Sequence, residues 1–388
     1  MDIKRIKMCG ITTLPVTIKA FMLDLFIYAN KNGFDCYTIS QPAEYFTEEA
    51  LGGVKHIPVN IKHGNVNPLE VIKTIWKLYK IFRKEKFEII QYATSNAAFY
   101  SSIAGFLANV PVRVFCQWGI AYTDYKGFKL WFYKTIEKLT CFFSTHVQPD
   151  SLANLKFSIE EKLYQPSKGS VILNGSACGV DMERYDISKK EIWSNEIRDL
   201  YQVPRSAKLF GYVGRVLVEK GINELLEAFL SIKDNNAYLM IVGPNDTPEL
   251  LNHFLYDKAQ KNKNIIFVGS VPDAAKYHAA FDFLVLPSYR EGFGLVVIEA
   301  AAVATPTIVS NIKGPTDFIK HEINGFVCEV KSSQSLKEML EKALLLDDNT
   351  KHNISQKAYQ MAKDMFDSFE FKKAFVNNRL SLINNKKK

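Results

Sequence analysis

Short runs of β-branched and aromatic residues alternate with longer amphipathic stretches along this chain, and the whole pattern occurs twice. Such runs predict parallel β-strands, and the stretches between them predict the crossover helices that parallel strands require. At 388 residues the chain exceeds what one ordinary hydrophobic core accommodates, which favours two domains. We therefore predict an α/β protein with two Rossmann-like, doubly wound domains that face an interdomain cleft.

The first series of elements extends to segment 174–179, whose small and polar residues suit a linker, so the first predicted domain is 1–175. Its predicted strands are Ile3–Cys9, Asp35–Ile39, Val54–Val59, Phe87–Gln91, Val112–Gln117 and Phe142–Gln148. Its predicted helices are Ile18–Asn30, Pro68–Lys84, Asn96–Leu107 and Phe128–Leu139. The second domain begins at 176, with strands predicted at Leu209–Val213, Tyr238–Val242, Ile265–Val268, Phe283–Leu286, Thr307–Val309 and Gly325–Cys328.

Composition restricts the class of protein. Hydrophobic residues make up 47% of the chain and charged residues 23%, the balance of a folded globular protein. The net charge is +8, and basic residues recur beside aromatic ones, which indicates anionic partners such as phosphates or lipid headgroups. Neither a zinc-finger spacing nor an RNA-recognition signature is present, so we expect no nucleic acid partner.

Cysteine usage and hydropathy indicate a compartment. The six cysteines are scattered without a CxxC pair, which indicates neither a disulfide scaffold nor a metal knuckle and suits a reducing environment. No apolar run approaches the roughly 20 residues of a membrane-spanning helix. The apolar stretch around Phe21 is interrupted by Asp24 too soon for a signal peptide. We expect a cytoplasmic protein without a transmembrane anchor.

The strongest functional signal is segment 288–299, SYREGFGLVVIE, directly after a predicted buried strand. Its loop is punctuated by Gly292 and Gly294, and the apolar run that follows predicts a buried helix starting near Gly294. Such a helix aims free N–H groups and its positive dipole end at the strand ends, where a diphosphate would sit. Glu291 would stand in the loop, and Glu299 would reach ribose hydroxyls from the helix. Taken alone, the segment fits an ordinary βα turn equally well.

A second loop carries two cations. Gly214-Arg215 ends the first strand of the second half, and Glu219-Lys220-Gly221 opens the following helix. A guanidinium and an ammonium there would neutralise a pyrophosphate and stabilise it as a leaving group. An isolated pair of this kind also fits a solvated loop, but the Glu291 loop beside it favours the functional interpretation.

Together, Gly214-Arg215, Glu219-Lys220-Gly221 and the pair Glu291 and Glu299 resemble the donor site of glycosyltransferase family four, retaining enzymes with the GT-B fold. Other landmarks resemble the same family: Asn174-Gly175, Gly179-Val180-Asp181, Gly314-Pro315 and Asn324-Gly325-Phe326. The resemblance spans nearly the whole chain. It implies that a final helix, 368–388, crosses back to the first domain, so that the second domain is 176–367.

The resemblance also implies a role for each donor-site residue. The implied set is Arg215 and Lys220 beside Gly214 for the diphosphate, Glu291 for the sugar hydroxyls, the backbone of Gly292, Phe293, Gly294 and Leu295 for sugar and phosphate, and Glu299 for the ribose. Arg215, Lys220 and Glu291 would be the catalytic residues. The implied mechanism is front-face attack, in which the leaving phosphate helps to deprotonate the acceptor.

The first half departs from the family pattern at two loops. After the first strand the family usually shows a glycine pair, whereas this chain has one glycine followed by Thr12 and Thr13, whose hydroxyls and amides would face the acceptor. Where many relatives carry a histidine before a glycine, this chain has Gln117, Trp118 and Gly119. Trp118 also suits a core or cleft-wall aromatic. We predict that all five residues lie on the acceptor side.

Tyr92-Ala93-Thr94-Ser95-Asn96 together with Gln117-Trp118-Gly119 resembles enzymes that build capsule, exopolysaccharide or O-antigen repeats. The resemblance implies transfer of a hexose or N-acetylhexosamine from a nucleotide-diphosphate sugar, with uridine diphosphate favoured, to a glycan or polyprenyl-linked glycan. The chain has no Asp-x-Asp motif and no ligand-like histidine pair, so we expect no metal and no cofactor. A nucleotide-sugar epimerase of the same fold and a non-catalytic nucleotide-sugar-binding subunit are the alternatives.

Two basic and aromatic stretches bear on where the protein works. The helix predicted at Pro68–Lys84 has an apolar stripe and a strongly basic remainder, and segment 125–134 repeats the combination. Such helices rest on anionic membrane surfaces. Packing on the sheet explains the first stripe equally well. The second stretch favours weak peripheral association with the inner leaflet of the cytoplasmic membrane.

Overall fold

The computed structural model describes residues 5–62, 64, 67–245 and 248–387. The strands are β1 (Ile6–Ile11), β2 (Phe34–Ser40), β3 (Lys55–Pro58), β4 (Ile89–Tyr92), β5 (Val112–Gln117), β6 (His146–Pro149), β7 (Lys208–Val213), β8 (Ala237–Val242), β9 (Ile265–Gly269), β10 (Phe283–Leu286), β11 (Thr307–Ser310) and β12 (Gly325–Cys328). The helices are α1 (Pro15–Phe21), α2 (Leu23–Lys31), α3 (Glu48–Leu51), α4 (Pro68–Glu85), α5 (Ser95–Leu107), α6 (Gly127–Phe143), α7 (Leu152–Glu160), α8 (Lys190–Leu200), α9 (Ile222–Leu230), α10 (His253–Gln260), α11 (Ala275–Ala280), α12 (Leu295–Ala302), α13 (Pro315–Phe318), α14 (Ser333–Leu345), α15 (Asp348–Phe366) and α16 (Ser368–Lys387).

The strands form two six-stranded parallel sheets, ordered β3-β2-β1-β4-β5-β6 and β12-β11-β10-β7-β8-β9. In each sheet the chain runs from a central strand to one edge and then returns to the other side of that strand. This is the strand order of the Rossmann fold, and it places a switch point between β1 and β4 and another between β7 and β10. The predicted pair of Rossmann-like, doubly wound domains is confirmed.

Both faces of each sheet are covered, as continuous apolar strands require. In β1, Cys9 and Ile11 belong to one buried cluster, whereas Met8 belongs to another. In β7, Phe210 and the preceding residue Leu209 likewise belong to two different buried clusters. Because side chains alternate across a strand, each cluster fills one side of its sheet.

The chain divides into two compact units, Met1–Cys178 with Phe369–Lys388, and Gly179–Ser368. The division falls three residues beyond the predicted boundary at 175. The Ser176 amide donates to the carbonyl of Asp150 at 2.5 Å, which holds the predicted linker on the first unit. The second unit begins at Gly179, and the next residue, Val180, donates its amide to the carbonyl of Phe366 at 2.8 Å.

Arg379 anchors α16 to the first unit, and its side chain is fully buried. Its guanidinium donates to Gln91 Oε1 at 2.9 Å and to Gln148 Oε1 at 2.6 Å, so that one helix residue bridges β4 and β6. Burial lowers the pKa of Arg379 to about 10. Its guanidinium also stacks over Phe375, 4.4 Å from the ring centroid.

The prediction for the first strand was wrong by two to three residues. Strand β1 extends to Ile11 because its ladder with β2 continues to that residue, so Gly10 lies within the strand and the loop begins at Thr12. A Cβ on Gly10 would lie 2.8 Å from Met22 Sδ and 2.8 Å from the Phe26 ring, so the glycine permits close helix packing. Residues 3 and 4 of the predicted strand lie outside the described residues.

Two further boundaries differ from the predictions. The single helix predicted at Ile18–Asn30 is divided at Met22 into α1 and α2. The strand predicted from Phe142 begins only at His146, because α6 continues until the Ser144 amide donates to a carbonyl one turn earlier. Helix α8 lies in a stretch where no helix was predicted.

Candidate functional site

The loops that follow β7 and β10 meet at the switch point of the second sheet. The two strands are hydrogen-bonded neighbours, with Gly211 opposite Leu284. A Cβ on Gly221, which has φ +73°, would lie 2.1 Å from the carbonyl oxygen of Pro287. Only glycine permits this approach and this backbone conformation together. The glycine of the Glu219-Lys220-Gly221 segment therefore brings Lys220 against the second loop.

Lys220 and Glu291 form an ion pair across these loops, with 2.6 Å between Lys220 Nζ and Glu291 Oε1. The Ser288 hydroxyl donates to the same carboxylate oxygen at 2.8 Å. The side chains are largely buried, with exposed fractions of 23% for Lys220 and 14% for Glu291. Two residues that the sequence assigned to one site are therefore in direct contact, in an environment that strengthens charge interactions.

The structure places Arg215 on the same loop as Lys220, with an exposed side chain. Its backbone is fixed because the Tyr212 hydroxyl donates to the Arg215 carbonyl at 2.6 Å. Tyr212 is fully buried, and burial raises the pKa of its phenol well above the usual value. Sequence reasoning missed this tyrosine, since an aromatic residue in a strand carries no functional signal of its own.

Helix α12 begins as predicted beside the Glu291 loop. Gly294 occupies the capping position with φ +82° and offers no side chain to the first turn. Its carbonyl accepts the Val297 amide at 2.9 Å. Leu295 opens the helix at the end of the loop that carries Gly292. The N-terminus of α12, with its amides and positive dipole end, thus lies at the carboxyl end of the central strands.

Phe293 contributes only its backbone to the loop surface. Its side chain is 2% exposed and packs against Phe366, with 5.0 Å between ring centroids. This buried anchor holds the glycine-flanked loop against the core. The implied backbone contacts of Phe293 are compatible with this placement, and the roles of all donor-loop residues stay predictions.

Glu299 lies on α12 with a 28% exposed side chain. His278 Nε2 is 3.8 Å from Glu299 Oε2, and the rings of His278 and Tyr185 lie 6.0 Å apart between centroids. Burial and the charge of Glu299 raise the pKa of the Tyr185 phenol far above the usual value. Neither Tyr185 nor His278 was identified from the sequence, because each comes from a different element.

In the first unit, Thr12 and Thr13 lie at the carboxyl end of β1, at the first switch point. Both are buried. The Thr12 hydroxyl donates to the Leu14 carbonyl at 2.8 Å, and the Thr13 hydroxyl lies 2.8 Å from that of Thr94. Thr94 follows β4, so these contacts join the two loops at the switch point. The threonine hydroxyls are thus part of the loop scaffold, and their acceptor contacts stay a prediction.

Gln117 faces inward at the end of β5. Its side chain is fully buried, its amide donates to Glu137 Oε1 at 2.6 Å, and its oxygen accepts from the Ser158 hydroxyl at 2.9 Å. Burial raises the pKa of Glu137 to about 7. An acceptor contact by the Gln117 side chain would have to displace these hydrogen bonds.

Trp118 and Gly119 complete the loop after β5. The Trp118 ring packs against Phe21, with 5.1 Å between centroids and 48° between planes. Gly119 has φ +87°, which turns the chain away from the strand. Trp118 therefore stands in the loop as a partly buried aromatic, and its part in acceptor binding stays a prediction.

Among the described residues, no three His, Cys, Asp or Glu side chains cluster as metal ligands would. No helix in those same ranges is both long enough and apolar enough to cross a membrane. Independence of metal stays a prediction.

Residues 194–361, which contain the loops of Lys220 and Glu291, match the family described as Glycosyl transferases group 1, and residues 12–150 match Glycosyl transferase 4-like. The chain belongs to the GT-B glycosyltransferases. The match to the second family includes the loops after β1 and β5, which the sequence predicts to lie on the acceptor side of this glycosyltransferase. The family resemblance and the GT-B fold expected from the sequence are thus confirmed.

This glycosyltransferase has relatives in polysaccharide synthesis. It is 28% identical to the capsular polysaccharide biosynthesis glycosyltransferase CapM of Staphylococcus aureus, over 76% of this chain and 77% of the relative. It is also 28% identical to the Escherichia coli UDP-Gal:alpha-D-GlcNAc-diphosphoundecaprenol alpha-1,3-galactosyltransferase, over 85% and 86% of the two chains. The structure of Anabaena Alr3699/HepE in complex with UDP has the same fold, with a TM-score of 0.77, 17% identity and coverage of 97% and 100%.

Proposed function

We propose that this glycosyltransferase is a retaining enzyme that transfers a hexose or N-acetylhexosamine from a UDP-sugar to a polyprenyl-diphosphate-linked acceptor in bacterial surface polysaccharide synthesis. The observation that carries the proposal is the contact between Lys220 and Glu291 at the switch point of the second sheet. The names of the Escherichia coli and Staphylococcus aureus relatives support the donor nucleotide, the acceptor class and the process.

The donor diphosphate lies, in this proposal, between Arg215, Lys220 and the N-terminus of α12. The guanidinium binds phosphate oxygens in pairs, the ammonium adds a point charge, and the helix amides donate hydrogen bonds. The backbone that carries Arg215 is anchored and Lys220 is already held by Glu291, so the loop and the ammonium are in place before the donor arrives. Preorganised positive charge stabilises the diphosphate as it leaves the sugar.

Glu291 has two tasks in the proposed reaction. Its carboxylate orients Lys220, and its remaining lone pairs accept hydrogen bonds from the hydroxyls of the donor sugar. Because Ser288 and Lys220 both hold Oε1, Oε2 is the oxygen that meets the sugar. The acceptor hydroxyl attacks the anomeric carbon on the face that the phosphate leaves, and a phosphate oxygen takes the acceptor proton. The anomeric configuration is therefore retained.

An enzyme with a lipid-linked acceptor requires access to a membrane surface. The first unit has an exposed face that suits contact with such a surface. Helix α5 contacts both α4 and α6, so the three helices lie side by side on the first sheet. Phe128, Trp131 and Phe142 on α6 have exposed fractions of 76%, 61% and 70%. Lys129 lies 4.0 Å from the ring centroid of Tyr125 beside them. We propose that this aromatic and basic surface of α6 rests on anionic lipid headgroups.

A transfer assay with a panel of nucleotide sugars tests the proposal. The purified protein is incubated with each donor and with undecaprenyl-diphosphate-linked N-acetylglucosamine, and the lipid product is followed by mass spectrometry. We expect a single added sugar, with the donor's anomeric configuration in the product by NMR coupling. Conversion of the donor to its epimer without transfer would identify an epimerase. Binding without either reaction would identify a non-catalytic subunit.

A further inference from the structure

A small cavity lies beneath the loop that follows β5 in the first unit. Its volume is about 20 Å³, which gives room for a single water molecule. The wall of the cavity includes Ser95 at the start of α5, Tyr122 in the short 3₁₀ turn Ala121–Asp124, and Glu137 on α6. The cavity is therefore bordered by the segments that follow β4 and β5, on the side where the sequence predicts acceptor binding.

Glu137 holds the last residue of β5 directly. The Gln117 amide donates to Glu137 Oε1 at 2.6 Å, and the Gln117 side-chain oxygen accepts from the Ser158 hydroxyl at 2.9 Å. Because Gln117 is fully buried, these two hydrogen bonds fix both ends of its amide group. The chain then turns away from the strand at Gly119, which has φ +87°. The start of the loop is thus set by contacts with α6 and α7.

Tyr122 lies at the other end of the same loop. Its side chain is 2% exposed, and within the described part of the chain its hydroxyl has no hydrogen-bond partner. A buried hydroxyl is costly unless it is hydrogen-bonded, and buried water commonly supplies the bond. The Gln117 amide occupies only Oε1 of Glu137, so Oε2 can accept from such a water. One water in the cavity would join the Tyr122 hydroxyl to the Glu137 carboxyl.

We infer that Glu137 is a positioning residue that holds both ends of the loop 117–122, through its hydrogen bond to Gln117 and through a water that bridges it to Tyr122. The inference rests on the proposed function, because it takes this loop to bind the acceptor. Glu137 does not touch the acceptor. It restricts the backbone of Trp118 and Gly119 between the two held ends, so the loop loses less conformational entropy when the acceptor binds.

Steady-state transfer at varied concentrations of undecaprenyl-diphosphate-linked N-acetylglucosamine tests this role. We expect Glu137→Ala to raise the acceptor KM about tenfold, because binding must then order the loop, and Tyr122→Phe to raise it about threefold, the scale of one hydrogen bond. Glu137→Gln keeps an oxygen that accepts from Gln117 and should restore most of the wild-type acceptor KM. Glu160→Ala, which removes a 61% exposed carboxylate on α7, is the matched control and should leave the acceptor KM unchanged.

Titration calorimetry with UDP separates this role from general loss of structure. The proposed donor residues lie in the second unit, so we expect every variant to bind UDP as tightly as the wild type does. In a double-mutant cycle, adding Tyr122→Phe to Glu137→Ala should raise the acceptor KM little further, because both substitutions remove the same bridge. Tyr122→Phe removes a single oxygen atom and keeps the test decisive if Glu137→Ala does not fold.

Four results would overturn the inference and leave the proposed function intact. They are an unchanged acceptor KM in Glu137→Ala or Tyr122→Phe, no recovery in Glu137→Gln, a loss of UDP affinity equal to the loss of acceptor affinity, and independent effects of the two substitutions in the cycle. Absence of transfer by the wild type would overturn the proposed function and the inference together.

Discussion

Lys220 Nζ lies 2.6 Å from Glu291 Oε1, and the two residues belong to loops that follow neighbouring strands of the second sheet. Gly221 allows the two loops to approach each other, and the Ser288 hydroxyl of the second loop also donates to the Glu291 carboxylate. The cation that we propose for the diphosphate and the carboxylate that we propose for the sugar are thus already paired before any donor binds. Substitution of either residue leaves the other charge without its partner.

The two glutamates should differ in kinetic effect. Glu291 stands beside the proposed reacting carbon, so Glu291→Gln should mainly lower kcat and change the preference between donors that are epimers in one sugar hydroxyl. Glu299 lies on the helix at the proposed ribose, so Glu299→Gln should mainly raise the donor KM. Steady-state kinetics with two epimeric donors measure both effects. Equal effects of the two substitutions on every donor would show that Glu291 does not contact the sugar.

Transfer should persist in excess chelator. Basic side chains and the N-terminus of α12 supply the positive charge that a divalent cation supplies in other glycosyltransferases. The measurement is the transfer rate with and without EDTA, followed by addition of magnesium or manganese. A rate that vanishes with EDTA and returns with either metal would show that the Arg215 and Lys220 clamp is not the main stabiliser of the leaving group.

Stability should depend on pH through Glu137. Burial raises the pKa of this carboxyl from 4.5 to about 7. Between these values the folded state holds a proton that the unfolded state releases, so the free energy of unfolding falls as pH rises through this window. Glu137→Gln keeps the acceptor for Gln117 without the charge. The unfolding midpoint of this variant minus that of the wild type should therefore increase as the pH is raised from 4.5 to 8.

The exposed residue Glu160 provides the matched control for this measurement. Its carboxylate lies on α7, 3.9 Å from Lys156, and its side chain is 61% exposed. Glu160→Gln should shift the unfolding midpoint by about the same amount at every pH, because a solvated carboxylate contributes little. A constant difference for Glu137→Gln across the same range would contradict the account of its burial.

The aromatic surface of α6 should bind anionic bilayers. Flotation with vesicles of phosphatidylglycerol and phosphatidylethanolamine should recover the wild type, and the double substitution Phe128→Ser with Trp131→Ser should lower the partition coefficient by at least about tenfold, the scale of two lost apolar contacts. Phe254→Ser, at a 74% exposed phenylalanine of the second unit, is the control. Equal partition of all three proteins, or no difference from pure phosphatidylcholine vesicles, would contradict a membrane role for α6.

Much of the fold could be predicted because most of the parallel strands are rich in apolar residues and alternate with amphipathic helices. Strands β10 and β12 have the predicted boundaries, Phe283–Leu286 and Gly325–Cys328. The first strand was misplaced because Gly10 looks like a loop residue. Its place in the strand depends on how closely Met22 and Phe26 approach, which is a property of packing and not of local sequence.

The candidate site, too, could be predicted only where local sequence carries the signal. The Glu291 loop and the Lys220 loop were predicted to share a site because each follows a strand with turn glycines. The inward direction of Gln117 depends on partners from two distant helices, Glu137 and Ser158, which no local pattern indicates.

The central claim is that Arg215 and Lys220 stabilise the leaving diphosphate, and the turnover of single variants tests it most directly. The transfer rate at saturating donor is measured for the wild type, for Arg215→Ala and Lys220→Ala, and for Lys233→Ala as a control at an exposed lysine of the same unit. We predict a loss on the order of 100-fold for each of the first two variants, the scale of removing one transition-state charge stabiliser, and an unchanged rate for the control. Turnover near the wild-type rate in both Arg215→Ala and Lys220→Ala would contradict the account.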